Sequence, residues 1–247
     1  MNESRNLWGR LLLGLAAFGC VYSLSLYVIP RLGPIRSLIA SSAWIGPGTV
    51  TQICFLLFSL ALIRVLGKGR FGDYGFRGAP ARAIGRAVLI ALVVSVIVMF
   101  LSMVLMGIVY GPSGPSGSGD MPGGLFYTII TVWIVASTCE EIFYRGFLQG
   151  FLRPLKVYGF RFLRWRVSLP VLVAAAAFGL GHLCLLSMMP GPMVGTIVVS
   201  CFVCGLIAGG FVEITGSILP AIAVHMMFNI TGRMLPELMM YLAGAGD

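Results

Sequence analysis

Thr138-Cys139-Glu140-Glu141-Ile142-Phe143-Tyr144-Arg145 places two adjacent carboxylates and an arginine inside an otherwise uncharged apolar run, about Leu125 to Leu152. On insertion scales, each charge near the centre of a membrane helix costs about 2.5–3.5 kcal/mol. A chain that keeps three charges there needs them for structure or chemistry. On a helix, Glu141 and Arg145 lie four residues apart on one face with the acid first, the favourable order for an ion pair. Glu140 points about 100° away from Glu141 around the helix, so it does not take part in this ion pair.

The composition around this stretch is that of a membrane protein. The 247 residues are 58% hydrophobic and 10% charged, whereas soluble domains average about 25% charged residues. We therefore expect an all-α, polytopic membrane protein with about seven to eight transmembrane helices and one integral membrane domain over residues 1–247. The apolar runs predict spans near 11–29, 38–66, 87–110, 125–152, 167–189, 193–211 and 218–235, with 238–243 as a partial eighth.

The net charge of +9 is concentrated in two loops between these spans. The loop after the second span contains Arg64, Lys68, Arg70, Arg77, Arg82 and Arg86, and the loop after the fourth contains Arg153, Lys156, Arg161, Arg164 and Arg166. The loop at 111–124 contains no basic residue, and its one charged residue is Asp120. Basic loops stay on the cytoplasmic side, so we expect a cytoplasmic N-terminus, both basic loops in the cytoplasm and loop 111–124 outside. This distribution indicates membrane orientation and no nucleic-acid partner.

The only two histidines, His182 and His225, both fall inside predicted spans. Each belongs to a four-residue step, from Phe178 to His182 and from His225 to Asn229. Four residues bring both ends of a step to one helix face. Ionisable groups within a membrane normally face a bundle interior or a polar cavity. We therefore expect these residues to converge with Glu140 on one site that is buried in the bilayer.

The residue types of this site suit hydrolysis of an amide. Glu140 with His182 can deprotonate a water molecule held between them. His225 and Asn229, one helical turn apart, can donate hydrogen bonds to an oxyanion that develops on a carbonyl. Glu140, His182 and His225 would also form a three-ligand zinc set with an open position. The sequence leaves both versions open and assigns no cofactor beyond this zinc candidate.

Three motifs in order on successive spans, Glu-Glu-x-x-x-Arg at 140–145, Phe-x-x-x-His at 178–182 and His-x-x-x-Asn at 225–229, resemble those of the CPBP family. That family comprises CAAX prenyl proteases and bacteriocin-processing, Abi-like relatives, which are membrane-embedded endopeptidases. The resemblance implies a catalytic core at 125–232, with Glu140 activating water, His182 as its partner, and His225 and Asn229 on the oxyanion side. Glu141, Arg145 and Phe178 then support the structure. The family is often described as metalloproteases, and a metal-free glutamate mechanism has also been argued for it.

Two other functional classes fit an intramembrane Glu and His set. A proton-coupled transporter uses such groups as a relay, but the chain shows no internal repeat and no pair of broken helices. A non-catalytic immunity or scaffold protein could keep the same fold, although all four proposed catalytic residues are present. We favour a peptidase of a bacterial plasma membrane that acts on a peptide or membrane-protein substrate in contact with the lipid bilayer. The oligomeric state stays open.

Overall fold

The structure is a computed structural model and describes residues 2–42, 44–111, 124–162 and 165–242. It confirms the all-α class. The helices are α1 (Asn2–Ser23), α2 (Gly33–Ser41), α3 (Pro47–Leu66), α4 (Ala81–Tyr110), α5 (Gly124–Thr128), α6 (Ser137–Glu141), α7 (Gly150–Leu152), α8 (Leu169–Gly181), α9 (Gly191–Thr215) and α10 (Leu219–Leu242). Most of loop 111–124, which we expect outside the membrane, falls beyond the described residues.

Six stretches of the described residues are long and apolar enough to cross a membrane. They are Asn6–Arg31, Pro47–Leu66, Ala81–Tyr110, Gly124–Val157, Leu169–Ser187 and Gly191–Thr215. Helix α10, the predicted seventh span, is not among them. The predicted partial eighth span also differs, because Leu238 to Leu242 continues α10. The chain is therefore a multi-pass membrane protein, and the count of seven to eight spans is not confirmed.

Residues 124–152 form one continuous helical stretch, here called the motif helix. It consists of α5, α6 and α7 joined by two π-helical segments, Ile129–Ala136 and Ile142–Gln149. All residues of the second π segment are buried, and it packs against α1, α3, α8 and α9. Wide π turns recur at functional sites. The motif helix is thus the central element of the bundle.

Two boundaries differ from the sequence prediction. Gly46-Pro47-Gly48 interrupts the predicted second span, so that α3 begins at Pro47 and the preceding residues form the separate helix α2. Proline suits the first turn of a helix because a backbone N–H at that position would have no acceptor within the helix, so its absence costs nothing. The predicted third span also starts earlier than expected, at Ala81, which moves Arg82 and Arg86 from the basic loop into the first turns of α4.

The second basic loop contains an antiparallel hairpin that the sequence analysis did not predict. Strand β1 (Gly159–Phe162) pairs with β2 (Trp165–Ser168), and Gly159 lies opposite Ser168. Ser168 then caps α8, since its hydroxyl accepts a hydrogen bond from Val171 N at 3.4 Å. Aromatic and basic residues alternate along β1, the two-residue period of a strand.

The first basic loop is fastened to the turn between α9 and α10. Arg77 Nε donates to Gly216 O at 2.5 Å, and Ser217 Oγ donates to the carbonyl of Arg77 at 2.6 Å. The backbone N–H of Ile218 also donates to Gly75 O at 3.1 Å. Gly216 adopts a left-handed conformation with φ of 68°, which glycine reaches without a steric penalty. This latch joins the first half of the chain to the second.

Candidate active site

The ion pair expected from the sequence lies at the core of the motif helix. Arg145 Nη1 is 2.9 Å from Glu141 Oε1, and both side chains are fully buried. The guanidinium carbon also lies 4.6 Å from the centre of the Phe178 ring, so the cation contacts an aromatic face as well as a carboxylate. A buried charge is tolerated only when it is paired, and each member of this pair therefore needs the other.

Two glycines of α9 make room for the polar side chains of the motif helix. A β-carbon at Gly205 would lie 3.0 Å from Arg145 Nη2 and 2.8 Å from Ala175 Cα. A β-carbon at Gly209 would lie 2.9 Å from Gln149 Oε1, and the Gly209 carbonyl accepts a hydrogen bond from Gln149 Nε2 at 3.0 Å. The Gly-x-x-x-Gly step of α9 thus admits a buried guanidinium and a buried amide beside the helix backbone.

His225 of α10 reaches both carboxylates of the Glu-Glu pair. Its Nδ1 lies 2.9 Å from Glu141 Oε1, and its Nε2 lies 3.8 Å from Glu140 Oε2. The Glu141 carboxylate oxygen accepts this hydrogen bond, so Nδ1 of His225 carries the proton that is donated. The other ring nitrogen, Nε2, faces Glu140. The imidazole is 6% exposed and the Glu140 side chain 14%. Glu140, His225 and Glu141 therefore form one contiguous polar group inside the bundle.

A glutamine from outside the three motifs completes the surroundings of Glu140. Gln52 of α3 donates from Nε2 to Glu140 Oε1 at 2.5 Å, which leaves Oε2 of Glu140 directed at His225. Gln52 lies in the mostly apolar helix α3, and its amide side chain within a predicted span was the sequence signal for it. The sequence analysis missed Gln52 because it belongs to none of the three motifs.

His182 is at the end of α8, where the helix tightens into a 3-10 turn. Its Nδ1 lies 2.9 Å from the Phe178 carbonyl oxygen, which can only accept, so Nδ1 carries the proton. Its Nε2 is left as an acceptor, 3.6 Å from Cys201 Sγ. His182 forms neither a hydrogen bond nor an ion pair with Glu140. The ring of Phe178 lies between the two histidines, with its centre 5.2 Å from that of His182 and 5.0 Å from that of His225.

Asn229 follows His225 by one turn of α10, as the spacing predicted. Its Nδ2 donates to Ser137 Oγ at 3.0 Å and to the Val132 carbonyl at 3.3 Å. Both donor positions of the amide are therefore directed at the motif helix. Ser137, which precedes the Glu-Glu pair by three residues, was also missed, since a serine in an apolar span is common.

The proposed zinc set does not fit this geometry. Among the residues that the structure describes, no group of three or more histidine, cysteine, aspartate or glutamate side chains is arranged to hold a metal ion. Glu140 and His225 approach each other, but His182 is directed at Phe178 O and Cys201. As they are placed, these three side chains do not form a zinc site.

Part of the chain is similar to a known protein family. Residues 122–231 match the family model described as Type II CAAX prenyl endopeptidase Rce1-like. No curated protein and no solved structure matches the chain. The matched region contains all three sequence motifs and the polar group formed by Glu140, Glu141 and His225. Over residues 122–231 the chain is therefore similar to the type II CAAX prenyl endopeptidases of the Rce1-like family.

Proposed function

We propose that this protein is an intramembrane endopeptidase that hydrolyses a peptide bond of a membrane-associated polypeptide with water activated by Glu140. The observation that carries the proposal is the contact between Glu140 and His225, at 3.8 Å, inside the region that matches a protease family. Both groups are largely buried within helices of a membrane protein. Such groups mark functional sites more often than packing sites.

Glu140 acts as the general base in this proposal. Gln52 occupies one of its carboxylate oxygens at 2.5 Å, and the other oxygen is available to accept a proton from water. Orientation by a neighbouring donor matters because a general base must lie within hydrogen-bond reach of the proton that it removes. His182 is the second acceptor for that water through its unprotonated Nε2, which must exchange its contact with Cys201 Sγ for the water.

His225 stabilises the oxyanion. With Nδ1 bound to Glu141, it can donate from Nε2 only when the ring carries a second proton. Asn229 is the second donor, and it must exchange its bond to Ser137 or Val132 to reach a substrate.

The proposed reaction proceeds in two steps. The water oxygen bonds to the carbonyl carbon while Glu140 takes one water proton, and the carbonyl oxygen becomes the oxyanion beside His225 and Asn229. The C–N bond then breaks as Glu140 returns its proton to the departing nitrogen, which gives a carboxylic acid and an amine. The proton of the acid then passes to the amine, so that the final products are a carboxylate and an ammonium group.

We also propose that the protein lies in a bacterial plasma membrane with its N-terminus in the cytoplasm. Six basic residues between Arg64 and Arg86 and five between Arg153 and Arg166, against none in loop 111–124, support a cytoplasmic N-terminus. The substrate is then a peptide or membrane protein that enters from the bilayer or the cytoplasmic face. An impermeant thiol reagent should label Lys68→Cys only after the cytoplasmic side is opened; labelling of intact cells would contradict this orientation.

The decisive test of the function compares wild type with Glu140→Gln. The amide keeps the shape of the side chain but is not a base. We expect Glu140→Gln to accumulate in the membrane like wild type and to leave uncut a substrate that proteomics of wild-type and deletion membranes identifies. Purified wild type should be assayed with and without a chelator. Full proteolysis by Glu140→Gln would remove Glu140 from the mechanism, whereas a proton-coupled flux without proteolysis would identify a carrier.

A further inference from the structure

A cleft lies between the beginning of α4 and the end of α9, away from the Glu-Glu motif. It is open to the outside of the bundle and has a volume of about 660 Å³. Arg82 and Arg86 line it on the α4 side, together with Ala83 and Ile90. Phe211 and Ile214 line it on the α9 side. The cleft therefore joins a cationic part to an apolar part.

The two arginines of this cleft are free to bind a ligand. They lie four residues apart on α4, are both exposed, and have no hydrogen-bond or ion-pair partner within residues 2–42, 44–111, 124–162 and 165–242. Arg77 and Arg153, by contrast, donate to backbone carbonyls. Like charges four apart on a helix repel each other, and cations oppose the dipole at a helix N-terminus. The pair therefore costs helix stability, and a bound anion would reverse that cost.

The apolar part of the cleft begins one turn further along α4. Ile90 follows Arg86 by four residues, and Phe211 and Ile214 face it from α9. Ile214 is 74% exposed, which is unfavourable in water and favourable against an acyl chain. Arginines at one end of the cleft and aliphatic and aromatic groups at the other match the two parts of a lipid.

The length of α4 places these two parts at the right depth. Its 30 residues extend about 45 Å, whereas the hydrocarbon layer is about 30 Å thick. The stretch from Ile90 to Tyr110 is long enough to cross that layer, since 1.5 Å per residue gives about 30 Å. Arg86 and Arg82 then lie about 6 and 12 Å beyond Ile90, in the headgroup layer.

We propose that this cleft binds an anionic phospholipid of the bilayer, with the phosphate between Arg82 and Arg86 and an acyl chain against Ile90, Phe211 and Ile214. Basic pockets between membrane helices are suited to anionic headgroups. Charge complementarity selects an anionic lipid over a zwitterionic one, and the apolar part selects a lipid over a free phosphate. This site is separate from the proposed protease chemistry and does not depend on it.

The test is native mass spectrometry of the purified full chain in detergent, titrated with phosphatidylglycerol or with phosphatidylcholine of the same acyl chains. We expect wild type to bind phosphatidylglycerol more tightly than phosphatidylcholine. The double variant Arg82→Gln with Arg86→Gln should bind phosphatidylglycerol on the order of tenfold more weakly. Arg82→Lys with Arg86→Lys should retain most of the binding, which excludes misfolding as the cause.

Two further variants separate charge from shape. Arg36→Gln with Arg161→Gln removes two exposed arginines elsewhere and should bind like wild type. Ala83→Leu should fill the cleft and weaken both lipids while all arginines remain. Glycerol phosphate should not compete. Equal binding of both lipids by wild type, unchanged binding by the glutamine variant, or displacement of the lipid by glycerol phosphate would each overturn the proposal.

Discussion

Arg145 and His225 contact the same carboxylate oxygen, Oε1 of Glu141, each at a distance of 2.9 Å. The oxygen therefore joins the ion pair that stabilises the motif helix to the histidine proposed for the oxyanion. Because Nδ1 of His225 is fixed by this contact, Nε2 is fixed as well, and it faces Glu140. Glu141, which the sequence analysis assigned to support alone, is also a positioning residue for His225.

The first prediction concerns this shared oxygen. Arg145→Ala should lower the amount of folded protein in the membrane, because removing one partner of a buried pair costs about 3–5 kcal/mol. The measurement is the detergent-soluble, monodisperse fraction relative to wild type. Arg161→Ala, an exposed arginine of β1, is the matched control and should not change it. Normal accumulation of Arg145→Ala with reduced turnover would assign Arg145 to the chemistry instead.

A second prediction follows from the Gln52 contact. Gln52→Met keeps the length of the side chain and removes the donor to Glu140 Oε1. A hydrogen bond to a charged group contributes about 1.5–3 kcal/mol, so kcat should fall by about tenfold to a hundredfold with little change in KM. Thr51→Val, at the preceding residue of α3, should leave kcat unchanged, since Thr51 donates to Ser25 O and Pro47 O. Equal activity of both variants would remove Gln52 from the site.

The two histidine motifs should respond differently to truncation. His182→Ala should abolish measurable proteolysis, because it removes the second acceptor for the attacking water. Asn229→Ala should retain a residue of activity, since loss of one oxyanion donor costs about a hundredfold to a thousandfold. Single-turnover cleavage by purified variants distinguishes these outcomes. Complete loss of activity in Asn229→Ala at normal expression would indicate that its bond to Ser137 positions the motif helix.

The glycine step of α9 gives a prediction about stability alone. Gly205→Ala should destabilise the protein, because the new methyl group would lie 2.8 Å from the Ala175 backbone and 3.0 Å from the Arg145 guanidinium. Overpacking of this kind costs about 1–3 kcal/mol. Gly210→Ala is the control, since nothing lies within 4 Å of its β-carbon position. Thermal unfolding in detergent should show a lower midpoint for the first variant only.

The sequence predicted the parts of this site that follow from spacing. Glu141 and Arg145 are four residues apart, and so are His225 and Asn229, so a helix of either width keeps each pair on one face. Hydropathy and the cost of buried charge were sufficient to predict an all-α membrane bundle, and they led us to expect one polar site in its interior. Both arguments depend only on which residues follow one another along a single helix, and this order can be read from the sequence.

The sequence could not predict the features that arise between helices. Gln52 is an isolated polar residue until α3 packs against the motif helix, and no spacing connects it to Glu140. The π segments that flank α6 also leave no periodic signature, because eight residues are too few to separate a π turn from an α turn. The hairpin at 159–168 was hidden because its aromatic and basic alternation also fits interfacial anchoring.

The latch between the first basic loop and the α9–α10 turn limits how far the chain can be shortened without loss of contacts around the candidate active site. A chain shortened to the family-matched region, 122–231, would lose Arg77 and Gly75, which bind that turn, as well as Gln52. Helix α10, which contains His225, begins at Leu219, directly after the latch residue Ile218. Transfer of the three sequence motifs alone to another protein would therefore not reproduce the candidate active site, which also needs Gln52 of α3 and the contacts of the first basic loop.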